Sequence, residues 1–169
     1  MVPLQQGTRI GDGFQLVRPL DAMSLSRWLA VDVRRDVPVE VHFARRLGDM
    51  RRERAAQRFA RMAMMEHRNL LAVYGHGRLH DGTPYLVTGA ATGETLDKRL
   101  DRLGWLSFEQ CAALLEPVCA ALTEANRHGL VHGAIAPRIE PLERMCRVNA
   151  RVSTPAIPTT PWRRRLSQA

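Results

Sequence analysis

The chain's 169 residues, 45% hydrophobic and 25% charged, suit one ordinary domain or a small two-lobed one and exclude a disordered or fibrous protein. Its apolar runs are broken by Glu, Arg, Pro or His well before the roughly 20 residues a membrane span needs, so no transmembrane segment is expected. Of the net charge of +8, residues 141–169 hold +5 through six Arg and one Glu, so the basic character lives mainly in the tail and is weak ground for a nucleic-acid partner.

Residues 1–13 lack the basic start and apolar run of a secretion signal, so they read as an N-terminal extension and a cytoplasmic location is expected. Gly11-Asp12-Gly13 precedes the first expected strand rather than following one, so a dinucleotide-binding fingerprint does not fit. Residues 14–20, 26–33 and 37–43 have the texture of three short strands, and Val37, Val39, Val41 and Phe43 alternate to give the third an apolar face. Arg34-Arg35-Asp36 is a polar turn between the last two. A helix follows, with Ala55, Phe59, Met62 and Met65 or Glu66 at helical spacing, an Arg-rich opposite face and an end near His67. Asp81-Gly82 then marks a hairpin between apolar segments 70–79 and 83–90. Five antiparallel strands with one helix on a face are expected from this half.

The second half is helical. A short helix over 94–104 stops at Gly104, and Ser107 with Gln110 forms a capping box opening a longer one closed by Gly129. Leu114, Leu115, Val118, Leu122 and Ala125 make its apolar stripe, and Pro117 within it predicts a kink or break at a cost of about 3 kcal/mol in a regular interior. Beyond Pro137 periodicity ends, prolines cluster from Pro155 to Pro161, and residues 138–169 read as an irregular basic tail. Cys111, Cys119 and Cys146 show no close metal spacing and fit buried thiols in a reducing compartment. His76 with His80, and His128 with His132, lack a nearby third ligand, so no metal site is expected.

The order of these elements, with "HRNLLAVYGHGRLHDGTPYLVTGAATGETL" and "LSFEQCAALLEPVCAALTEANRHGLVHG", resembles bacterial Ser/Thr protein kinases from about Phe14 to Pro137. The first stretch is similar to the family's H-P-N-I-V-x-V-Y strand and its hinge; the second to the long helix that leads into the catalytic loop. The resemblance implies an α+β kinase-like N-lobe over 14–91 and a partial C-lobe over 92–137. It puts Thr88 at the gatekeeper place and Gly89 to Ala91 at the hinge. Phosphoryl transfer in that family needs positive charge on the phosphates, metal ions held by acidic and amide oxygens, and a carboxylate base.

At each such place this chain departs from the pattern. The phosphate loop aligns with "LDAMSLSRW", which has no glycine and carries Met23 and Leu25. The strand Lys of V-A-V-K falls on His42, and the helix carboxylate that would pair with it falls on Gln57 or Arg58, with Glu53 a turn or more away. Lys98 is the chain's one lysine. In "LVHGAIAPRIE" the His-Arg-Asp loop keeps His132 and Pro137, but Ala134, Ala136 and Ile139 stand where the base, the Lys and the metal-holding Asn would be. A pseudokinase-type binding or regulatory module is therefore expected, with ATP and magnesium binding lost and a frameshift or premature end replacing the family pattern after Pro137. Its contact would be a protein partner or another copy, through the 107–128 helix face. Two alternatives are an ATP-dependent Ser/Thr kinase and a basic nucleic-acid-associated protein using "TPWRRR"; a solvated tail fits that composition better.

Overall fold

The computed structural model describes residues 4–20, 26–45, 47–91, 93 and 95–131. The elements are strands β1 (Arg9–Ile10), β2 (Phe14–Pro19), β3 (Arg27–Asp32) and β4 (Val37–Phe43), helix α1 (Asp49–Ala63), strands β5 (Val73–Arg78) and β6 (Pro84–Gly89), and helices α2 (Leu96–Leu103) and α3 (Phe108–Arg127). They form an antiparallel sheet in the order β1-β2-β3-β4-β6-β5. The sheet therefore has six strands rather than five. Arg9 and Ile10 pair with Gln15 and Phe14, and Leu4 and Ile10 are buried in the core, so residues ahead of Phe14 join the sheet.

The alternation of β4 works as its residues require. Val39, Val41 and Phe43 enter a core with Leu4, Ile10, Leu16, Trp28, Ala30, Tyr85 and Val87. Register then fixes the neighbours, with Val41 lying between Trp28 and Val87. The opposite face carries α1, whose Phe59 and Met62 are buried with Met65, Leu86, Ala44, Ala125 and Leu130. Met65 rather than Glu66 is the inward residue at that level.

Turns follow their chemistry. In the β3–β4 turn the Asp32 carboxylate accepts from the backbone N–H groups of Arg34 (2.9 Å) and Arg35 (3.3 Å) and from Arg35 Nη1 (2.9 Å), while Asp36 takes the left-handed φ of 53° that Asp tolerates. Burial pushes the Asp32 carboxyl up, but these hydrogen bonds outweigh it and hold the carboxyl below its usual value.

Two helix expectations need correction. Helix α1 stops at Ala63 rather than near His67; Met64 and Met65 bond back in tight turns to Arg61 and Met62, which delivers Met65 to the core. Helix α3 runs through Pro117 without a break. Burial of Ala121 and Ala125 beyond it, with an Asn69 Nδ2 bond to the Pro117 carbonyl (3.2 Å), offsets the lost backbone bond. The capping box is as expected: Ser107 Oγ accepts from the Gln110 N–H, and Gln110 Oε1 accepts from the Ser107 N–H. Gly104 ends α2 with φ of 77°. Cys119 is exposed and Cys111 half-buried, against the expectation of buried thiols. Among the described residues no helix is long and apolar enough to cross a membrane.

Candidate functional site

The sheet face that bears α1 also carries a buried polar cluster, an arrangement that needs partners to persist in a low-dielectric setting. Glu40 and His42 alternate with the apolar residues of β4 and so point to that face, as strand geometry dictates. Register sets Glu40 opposite Thr88 on β6 and opposite Leu29 on β3; it sets His42 opposite Leu86 and Arg27. All of Glu40, His42 and Thr88 are buried.

His42 Nε2 and Thr88 Oγ1 are 3.2 Å apart, and the same nitrogen lies 3.8 Å from a Glu40 carboxylate oxygen. Arg27 Nη1 lies 4.0 Å from that oxygen. The backbone N–H of Ala91, in the segment that follows β6, donates to the Glu40 carboxylate. Burial pushes the His42 imidazole down to about 4, and the Arg27 charge adds to the effect. His42 is thus neutral at pH 7. Burial raises the Glu40 carboxyl above its ordinary value, with Arg27 and the Ala91 N–H pulling the other way. His42 Nδ1 is buried without a hydrogen-bond partner.

The structure therefore brings together His42 and Thr88, two of the residues singled out in the sequence, and sets Gly89 and Ala91 beside them. Gly89 pairs with Val39 and donates its N–H to the Ala72 carbonyl. Arg58 does something else: its guanidinium donates to the Val131 carbonyl (3.2 Å), tying α1 to the end of the helical half. Gln57 is exposed, and Glu53 forms an ion pair with Arg78. Met23, Leu25, His132, Ala134, Ala136, Pro137, Ile139, Cys146 and the basic tail lie outside the described residues.

Two members of the cluster, Glu40 and Arg27, escaped sequence reasoning. Glu40 had a signal, since the V-A-V-K pattern has a small apolar residue at the place where "VEVH" has Glu. Arg27 had none, because its proximity to His42 comes from β3–β4 register. His76 and His80 are exposed, and His128 Nε2 is 3.1 Å from Glu124. Among the described residues no group of three or more His, Cys, Asp or Glu side chains is placed to hold a metal ion.

Comparison with known proteins bears on this geometry. No family model matches the chain. It is 40% identical over 114 residues to the serine/threonine-protein kinase PknL of Mycobacterium bovis, and 39% identical over 114 residues to PknL of Mycobacterium tuberculosis. The match takes in 63% of this chain and 27% of each relative, so the chain spans about a quarter of their length. Among solved structures, a double mutant of the Mycobacterium tuberculosis PknI kinase domain aligns with a TM-score of 0.67 at 20% identity, covering 92% of this chain and 65% of that one. The unsubstituted PknI kinase domain aligns with a TM-score of 0.62 at 20% identity over 80% and 56%. These structures support the fold. Sequence and fold agree on one likeness: the chain resembles protein kinases of the bacterial Ser/Thr type, and its described residues have the fold of a kinase N-lobe with the first helices of the C-lobe.

Proposed function

We propose that this chain is a pseudokinase-type binding or regulatory module of the cytoplasm, one that recognises a protein and transfers no phosphate. The observation that carries the reading is His42. At its place the family's Lys pairs with the α- and β-phosphates and with a helix carboxylate. Here a neutral imidazole is buried against Thr88, and the nearest carboxylate, Glu40, is on the same strand. A triphosphate brought to this face meets the Glu40 carboxylate, with the Arg27 guanidinium 4.0 Å from it, in place of the family's strand lysine. The residues present do not fit ATP with magnesium, and Ala134, Ala136 and Ile139 add to that in the sequence.

The test is thermal unfolding of the whole chain with millimolar ATP and magnesium. A ligand that binds only the folded state raises the melting temperature by mass action, so the expected result is no movement. A magnesium-dependent rise of several degrees would overturn the reading. Phosphotransfer to a generic protein substrate is expected to be absent in the parent chain and in Ala134→Asp, because one restored carboxylate leaves the phosphates uncradled.

One observation favours the enzyme alternative, an ATP-dependent Ser/Thr kinase. Arg27 brings a guanidinium to the strand beside His42, where a cation is otherwise lacking. Its closeness to Glu40 weakens that case, since the two charges offset each other. An ATP-dependent shift in melting temperature, together with phosphotransfer to a protein substrate, both disappearing in Arg27→Ala, would establish the alternative.

A further inference from the structure

Building on the reading of this chain as a binding module, we propose that its partner is a second copy of itself, joined by antiparallel packing of α1 of one copy on α3 of the other. Both helices present a solvent stripe with the 3.5-residue repeat of paired helices. On α1 and its C-cap the stripe is Met50 (79% exposed), Arg54, Gln57, Arg61 and Met64 (73% exposed). On α3 it is Phe108 (83% exposed), Ala112, Leu115 (53% exposed) and Cys119.

The charges beside these apolar positions are complementary. Arg54 follows Met50 by four residues and Arg61 precedes Met64 by three, while Glu109 and Glu116 follow Phe108 and Leu115 by one; each charged pair is seven residues apart, or roughly 10.5 Å of helix at about 1.5 Å per residue. Both flanks lie on the same rotational side of their apolar stripe, at about 100° per residue. Two facing helices with that shared sense bring their flanks together when antiparallel and set them on opposite sides when parallel. Antiparallel packing in the register that puts Arg54 opposite Glu116 and Arg61 opposite Glu109 also sets Met64 near the level of Phe108 and Met50 near that of Cys119, with Leu115 level with Arg54 and Ala55. Among the described residues, Arg54, Arg61 and Glu116 form no ion pair within their own chain, while Glu109 accepts a hydrogen bond from Ser107 Oγ (2.8 Å). Methionine suits such a surface, because its flexible side chain adapts to an aromatic partner.

Light scattering behind size-exclusion chromatography of the full chain tests the contact. The parent is expected at about twice its 19.0 kDa mass in low salt, falling toward one copy as salt screens the rim charges. The double variants Arg54→Glu/Arg61→Glu and Glu109→Arg/Glu116→Arg are each expected to be monomeric, with circular dichroism matching the parent. Mixed in equal amounts they should recover the double mass, since acidic α1 then meets basic α3. Leu115→Glu should also lower the mass. A monomeric parent, or an assembly that ignores both charge reversals, overturns the proposal. Either result leaves the nucleotide test unaffected, and a nucleotide-induced stabilisation in turn would overturn the inactive reading without altering these masses.

Discussion

His42 links the most local chemistry of the cluster to a measurable pH dependence. Its folded-state value of about 4 lies below the ordinary imidazole value of 6.5, so the folded protein resists a proton that the unfolded chain accepts. Above pH 6.5 both states are neutral there and nothing is lost; as pH falls from 6.5 toward 4 the unfolded state is favoured, by up to about 3 kcal/mol at the low end. Glu40, raised by burial, acts with the opposite sign in acid, because the folded state takes up its proton first. Comparison with His42→Gln, which retains Glu40, isolates the histidine. Urea denaturation across this range is expected to show the parent losing more stability than the variant; equal slopes would mean that His42 is not held neutral. At this scale the sequence exposed His42 through its place in "VEVH". It hid Arg27, fifteen positions away along the chain, because proximity across strands is a property of register.

Elements were legible wherever periodicity and turn chemistry agreed. The span of β4, the Asp81-Gly82 hairpin and the Ser107 cap all follow from local sequence. The end of α1 and the continuity of α3 did not, since burial of Met65 and of Ala121 and Ala125 overrides local preference. β1 was missed because two residues give no alternation to read. Edge strand β5 shows how tertiary contact constrains a single element. A Cβ at Gly77 would lie 2.8 Å from Tyr85 Oη and 3.0 Å from its ring, and that tyrosine is buried in the core. Gly77→Ala is therefore expected to destabilise by about 1–3 kcal/mol through forced repacking. Ser107→Ala is expected to cost about 1 kcal/mol by removing the cap. Chemical denaturation of the two variants distinguishes overpacking from a lost cap by the ranking of their midpoints.

Across the whole molecule, burial is uneven in a way that predicts the order of local opening. The strands β3, β4 and β6 supply most of the fully buried side chains, and the polar cluster rests on them. Helix α2 has no buried residue, and α3 is buried only in its second half, at Ala121 and Ala125. Its attachment to the sheet half runs through Ala125 and Leu130 on Phe59 and Met62, with the Asn69 and Arg58 hydrogen bonds alongside. Little apolar area resists separation of the N-terminal part of α3, whereas opening β4 exposes both faces of the sheet at once. Native-state hydrogen exchange is expected to give amides of α2 and of Gln110–Leu114 the lowest opening free energies. Those of Val39–Phe43 and Tyr85–Val87 should exchange only by global unfolding. Self-association would raise protection selectively in α1 and α3 as protein concentration increases, leaving the strand amides unchanged. Equal protection in α2 and β4 would contradict this order, because it would require the helical half to be held by contacts as extensive as those of the sheet.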